Sequence, residues 1–199
     1  MSSKFIIYVA DTETTGLDPA RNEIIEISFC RLSDNSQKTW FIKPTNYESI
    51  EPEALRINGH KLDDLKHITK TGRETYRSAA DVLVEIENWM GDDLAAAEDR
   101  ILVGQNPFFD IEFMQNLWAK QNNTETFPFG RRPFLIDTRQ MALFLDLARD
   151  ERSDYYNLGS LVEKYGVKKE KSHRAATDTR MTRDVFLAQL DIVKEALSR

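Results

Sequence analysis

Lys4-Phe5-Ile6-Ile7-Tyr8-Val9-Ala10-Asp11-Thr12-Glu13 is an apolar run, largely β-branched and aromatic, that ends abruptly in two acids. That composition predicts a strand. Successive strand residues face opposite sides, so Asp11 and Glu13 share a side with Ile7 and Val9. Both carboxylates therefore stand on one face at the end of an apolar strand, the end at which open α/β sheets keep their sites.

Working outward, Ile24 to Leu32 and Lys38 to Ile42 read as a second and third strand, close enough to the first to form a meander. Tyr76 to Met90 has helical spacing (Ala79, Ala80, Leu83, Ile86, Met90) and stops at Gly91. Arg100 to Gly104 is a short strand, followed by a helix with Pro107 in its first turn. Phe134 to Ile136 is a fifth strand, with helices predicted from Thr138 to about Arg149, from Leu158 to Tyr165 and from Ala175 to Leu197. The expected fold is α/β: a mixed five-stranded sheet, its first three strands antiparallel and its last strands parallel through helical crossovers, with helices on both faces.

A chain of 199 residues fits one domain, residues 1–199, and no linker or repeat divides it. With 41% hydrophobic and 30% charged residues, disordered, collagenous and coiled-coil classes are excluded. The single cysteine, Cys30, can make no internal disulfide, so a reducing, cytoplasmic location is expected. No apolar run approaches the ~20 residues of a membrane span, so no membrane partner is expected. The opening Met1-Ser2-Ser3-Lys4 is not followed by a signal-peptide pattern, which places the expected mature start near Met1. A net charge of −6 argues against nucleic-acid binding through the overall field, though not against a local site.

Two more acids occupy positions the apolar pattern assigns to the interior. Asp110 heads a helical stripe of Phe113, Met114, Leu117 and Trp118, and Asp178 one of Met181, Val185 and Phe186, softened by Thr182. Taken singly, Asp11 reads as a turn former, and Asp110 and Asp178 as first-turn acids favoured by the helix dipole. As a set the four are costly to bury unless paired or metal-bound, and no matching set of inward basic residues accompanies them. Oxygen-only ligands suit Mg²⁺ or Mn²⁺, whereas one Cys and three His make a zinc site a poor fit. Two divalent cations would neutralise the four carboxylates and could stabilise the attacking and leaving oxygens of an in-line phosphoryl displacement.

Asp11-Thr12-Glu13-Thr14-Thr15-Gly16-Leu17, Asn106-Pro107-Phe108-Phe109-Asp110 and His173-Arg174-Ala175-Ala176-Thr177-Asp178 together resemble, in order, the three motifs of the DEDDh, or DnaQ-like, 3′ to 5′ exonucleases, which have a ribonuclease H-like fold. The resemblance spans nearly the whole chain. It implies that Asp11, Glu13, Asp110 and Asp178 hold two Mg²⁺ or Mn²⁺ ions, with Asp11 bridging them. It implies too that His173 is the general base that takes the proton of the attacking water. Its place ahead of Asp178 matches the histidine branch, whereas the tyrosine branch would need Tyr at position 174, which is Arg. An unperturbed imidazole titrates near neutrality and suits that role. His60 and His67 have no such partner and read as ordinary surface residues.

The same resemblance places a pocket for the 3′-terminal nucleotide at Thr12, Glu13, Leu17, Glu53, Asn58 and Asn106, with Leu17 as a wedge against the end base. Glu53 also reads as a plain first-turn residue after Pro52, and Leu17 as a packing residue. Many members carry His where this chain has Gln105, a departure that bears on substrate preference. Lys168, Lys169, Lys171 and Arg174 around His173, and Arg131 with Arg132, could meet the phosphate backbone or simply be solvated. Phe108, Phe109, Phe127 and Phe129 could stack on bases or fill the core, and Asp137 reads as a helix N-cap.

The expected function is metal-dependent removal of nucleoside monophosphates from the 3′ end of single-stranded nucleic acid, DNA first. An RNase T-like exoribonuclease is the alternative within the fold, and a non-catalytic polymerase- or nucleic-acid-binding module the alternative outside it. The expected partners are DNA or RNA 3′ ends and a DNA polymerase, with the chain a monomer or homodimer.

Overall fold

A computed structural model describes residues 5–66, 75–171 and 173–198. Lys4 and His67 lie outside the described residues. The strands are β1 (Ile6–Thr14), β2 (Ile24–Arg31), β3 (Ser36–Phe41), β4 (Arg100–Gly104) and β5 (Phe134–Asp137). The helices are α1 (Pro52–Asn58), α2 (Leu62–Lys66), α3 (Ala79–Gly91), α4 (Pro107–Lys120), α5 (Thr138–Leu147), α6 (Leu158–Lys164) and α7 (Ala175–Leu197).

The strands form one sheet in the order β3-β2-β1-β4-β5. β2 is antiparallel to β1 and β3, whereas β4 is parallel to β1 and β5. β1 is thus central, which explains its apolar run: Tyr8, Val9 and Ala10 are all buried, on alternating faces. Tyr8, Ala10, Ile27, Phe29 and Leu102 pack under α3 and α4, which contribute Leu83, Ile86, Met114 and Trp118. On the other face Val9, Cys30 and Val103 meet Phe186 of α7, with Ile7, Met141 and Leu190 at the margin. Full burial of one such large side chain contributes ~1.5–3 kcal/mol. The mixed sheet and its two-sided helical cover are as the sequence predicts.

The element ends differ in instructive ways. α3 begins at Ala79 because Ser78 caps it, its side chain accepting from Asp81 N at 3.2 Å; Tyr76 and Arg77 stay extended, and Arg77 bridges to Ile42. α1 and α2 are additional to the predicted order. α1 starts with Pro52 and ends at Gly59, whose φ of 75° closes the helix in the left-handed region. Asp137 caps α5, accepting from Arg139 N at 2.9 Å. Phe127 and Phe129 are core residues, Phe109 is partly buried against the core, and Phe108 is exposed. Among the described residues no helix is long and apolar enough to cross a membrane.

Candidate active site

β1 delivers Asp11 and Glu13 to the face covered by α7, the side of Ile7 and Val9. The pairing of β1 with β2 runs in register to Glu13 opposite Glu26 and then slips, Thr14 pairing with Ile24. The irregularity sits directly beyond the second acid, where bulges commonly end pairing beside a site. α7 crosses the same face and brings Asp178, buried in its first turn, to the two strand acids. Carboxylate oxygens of Asp11, Glu13 and Asp178 lie within 4.8 Å of one another.

Asp110 reaches the end of β1 from the opposite side. Its Oδ1 accepts from Thr12 N at 2.9 Å and from Thr12 Oγ1 at 2.7 Å. The chain between β4 and α4 makes this possible. A Cβ on Gly104 would come within 2.9 Å of Pro107 Cβ, so the helix starts hard against the strand. Asn106 adopts the left-handed region (φ 68°), which Asn tolerates better than most residues. Asp137 and Arg139 hold it there: Asp137 Oδ1 accepts from Asn106 N at 3.2 Å, and Arg139 donates to Asn106 Oδ1. Gln105 braces the same elbow, donating to Tyr156 O at 2.7 Å and accepting from Thr138 Oγ1 at 2.6 Å.

Burial raises the proton affinity of all four acids, and the charges of their neighbours add to it at Asp11 and Glu13. Asp11 is pushed well above the usual carboxylate range by burial and by the charges of Asp110, Glu13 and Asp178. Glu13 rises from 4.5 to about 8 through burial and the neighbouring Glu26 and Asp178. Burial lifts Asp110 from 3.8 to about 7 against the hydrogen bonds from Thr12. Asp178 is raised by burial, with His173 drawing it back down. The donor set is all-oxygen and crowded with negative charge. Asp178 Oδ1 is buried and lacks a hydrogen-bond partner among the described residues. A buried acceptor without a donor is costly, and a cation would satisfy it. These residues fit a hard divalent metal.

His173 is exposed and sits at φ 64°, an unusual backbone for a non-glycine residue. Its N–H donates to Asp178 Oδ2 at 2.9 Å, which ties it to the carboxylate cluster. Of the predicted nucleotide pocket, Leu17 is 77% exposed on the turn after β1. The Thr12 amide is engaged by Asp110. Asn58 is buried, donating to Thr14 O at 3.1 Å and accepting from His60 N at 3.1 Å, so it ties α1 to β1. Glu53 is exposed and bonded to Arg56 on its own helix, Nε to Oε2 at 2.7 Å, which holds its carboxyl below the usual range. Among the basic residues, Lys169 pairs with Glu163 at 3.2 Å and Arg131 with Glu125 at 3.1 Å.

Two residues escape the sequence reading. His60 is buried rather than on the surface, its Nε2 3.0 Å from Glu26 Oε2 and its Nδ1 against the Tyr76 hydroxyl. Glu26 is fully buried beside the cluster. Burial pushes its carboxyl up, but the His60 hydrogen bond and the Arg174 guanidinium outweigh this and leave it below the ordinary value. The available signal was an acid inside a strand that is otherwise buried from Ile24 to Cys30.

Residues 8–186 match the family model described as "Exonuclease". The chain is 34% identical over 187 residues to the DNA polymerase III PolC-type of Thermotoga maritima, a match that covers 94% of this chain and 12% of that protein. The chain thus spans about an eighth of the length of that relative. Among solved structures, Escherichia coli Exonuclease I in complex with a dT13 oligonucleotide superposes with a TM-score of 0.72 at 17% identity, covering 94% of this chain and 41% of the other. The nuclease domain of 3′hExo, a DEDDh family member bound to rAMP, gives 0.70 at 16% identity over 96% and 94% of the two chains.

Proposed function

The chain belongs to the DnaQ-like, DEDDh-type 3′ to 5′ exonuclease family, and on that footing we propose that residues 1–199 form one exonuclease unit that removes nucleoside monophosphates from the 3′ end of single-stranded DNA. The observation that carries this reading is the meeting of Asp11, Glu13 and Asp178 within 4.8 Å, with Asp178 Oδ1 buried and without a hydrogen-bond partner among the described residues. Asp11, Glu13, Asp110 and Asp178 would hold two Mg²⁺ or Mn²⁺ ions. When bound, these supply electrostatic stabilisation of the attacking and leaving oxygens.

The chain's own groups do the rest. His173 accepts the proton of the attacking water; its exposed imidazole is open to solvent, and the bond from its backbone N–H to Asp178 fixes the loop beside the cluster. Thr12 keeps the Asp110 carboxylate aimed at the end of β1 through two hydrogen bonds. Leu17, the most exposed of the pocket residues, wedges against the terminal base. Thr12, Glu13, Glu53, Asn58 and Asn106 complete the pocket: Asn58 fixes the α1 turn against β1, and Glu53 exchanges Arg56 for the terminal sugar. The likeness to a PolC-type polymerase over 94% of this chain supports DNA as substrate and a DNA polymerase as partner.

The test is a competition between single-stranded DNA and RNA of one sequence, with Mg²⁺ or Mn²⁺ present, read by chromatography of the released mononucleotides. Deoxynucleoside monophosphates are expected to dominate. A predominance of ribonucleoside monophosphates would replace the DNA reading with the exoribonuclease one, and release of neither would favour the binding-module reading.

A further inference from the structure

α7 starts without a cap of its own. Arg174 occupies the N-cap position and makes no side-chain cap hydrogen bond, although the first N–H groups of a helix need acceptors. The Arg174 carbonyl takes Thr177 N at 2.8 Å and Asp178 N at 2.9 Å. The next acceptor comes from another element. Glu26, on β2, accepts from Ala176 N through Oε1 at 3.4 Å and from Arg174 Nε through Oε2 at 3.0 Å. Gln37 of β3 completes the dock, donating to Ala176 O at 2.7 Å.

The other side of the same carboxylate is held by His60, on the turn after α1. Glu26 is therefore clasped between that turn and the start of α7. It lies opposite Glu13 in the strand register, yet it is outside the group of oxygens that approach within 4.8 Å, because its own oxygens are engaged by Ala176, Arg174 and His60. A carboxylate held in this way is a brace and not a further metal ligand. Beside it, His173 holds a backbone conformation that a non-glycine residue keeps only when its surroundings impose it. The hydrogen bond to Asp178 fixes one side of His173, and the Glu26 anchor on Arg174 fixes the other.

We propose that Glu26 is a positioning residue for hydrolysis: from β2 it caps α7 and anchors Arg174, and thereby sets the place of His173 and Asp178. This inference rests on the general-base reading of His173. A negative charge at a helix N-terminus also opposes the positive end of the helix dipole, so the same group that places the helix stabilises its first turn.

The test is Glu26→Gln, which keeps the side-chain volume and removes the charge, measured for kcat, KM and melting temperature in the parent and in His173→Ala. In the parent, kcat should fall on the order of tenfold to a hundredfold with KM little changed, the signature of a displaced reacting group. In His173→Ala the same substitution should cost clearly less, because His173 is gone and only the placement of Asp178 is left to disturb. An equal loss in both backgrounds, or an unchanged kcat in the parent, would overturn the proposal. Should Glu26→Gln fail to fold, His60→Leu loosens the same carboxylate and is read by the same rule. A parental rate in His173→Ala would refute the base assignment alone. The placement of α7 is then read from Mn²⁺ titration of Glu26→Gln, where weaker binding supports the brace and unchanged affinity overturns it.

Discussion

Without metal, the protein should lose stability as pH rises from 5 to 8, the reverse of ordinary acid denaturation. Glu13 is raised from 4.5 to about 8 by burial and by the charges of Glu26 and Asp178. Between those two values the folded chain holds a proton that the unfolded chain has released. Stability rises with pH only where the unfolded state binds more protons, so here it falls: the contribution is full below the unfolded value and is lost as pH passes the folded one. Taken through the linkage relation from pH 5 to 8, Glu13 alone accounts for ~3 kcal/mol. For a domain of this size ~2–4 °C accompanies each kcal/mol, so the melting temperature in EDTA should drop by ~6–12 °C over that range. Protons and divalent cations compete for the same oxygens, so Mg²⁺ or Mn²⁺ should raise the melting temperature more at pH 8 than at pH 5. Asp178→Asn removes a charge that lifts both Asp11 and Glu13, and should flatten the slope. A wild-type melting temperature that is flat or rises from pH 5 to 8 in EDTA, or an equal slope in Asp178→Asn, would refute the crowded-carboxylate account.

His173→Ala should lower kcat by ~10²–10⁴ while leaving the metal-induced rise in melting temperature intact; a loss of metal affinity in thermal-shift titrations contradicts the base role. Thr12→Val deletes the 2.7 Å hydroxyl bond to Asp110 and should cost ~1.5–3 kcal/mol in urea unfolding, since the acceptor is a carboxylate. An unchanged midpoint would mean that this bond adds nothing to the fold. Gly104→Ala would drive a Cβ to 2.9 Å from Pro107 Cβ and 3.2 Å from its Cα. The expected cost is ~1–3 kcal/mol, with a fall in activity because the start of α4 carries Asp110; wild-type turnover in that variant would show that Asp110 is placed by other contacts.

The parts of the fold legible in the sequence are those whose signal is local and periodic. β1 announces itself because a central strand is buried on both faces and its apolar run stops only at the acids. α7 begins at Ala175 and ends at Leu197 as predicted, since its buried stripe (Asp178, Met181, Val185, Phe186) repeats with helical spacing over many turns. α1 and α2 are too short to show a period, so only Pro52 marks the first of them. Tyr76 belongs to the loop and not to α3 because Ser78 supplies the cap, a side-chain preference that outweighs the apolar spacing.

At the site, Asp11, Glu13, Asp110 and Asp178 were legible because acids at interior positions break the pattern. Glu26 and His60 were not, for a physical reason. Their meaning depends on the register that sets Glu26 opposite Glu13, and on the turn that returns His60 to β2, both long-range facts. The residues proposed for a nucleotide pocket show the same limit: Asn58 and Glu53 look alike in sequence, yet one is buried against Thr14 and the other is exposed beside Arg56.

The most direct test of the central claim is a denaturing-gel time course on 5′-labelled single-stranded DNA with Mn²⁺, run for the wild type, for the wild type in EDTA and for Asp11→Ala. The carboxylate site predicts a ladder that shortens one nucleotide at a time in the first lane set alone. Shortening that persists in EDTA or in Asp11→Ala, or internal cuts in place of a ladder, would contradict it.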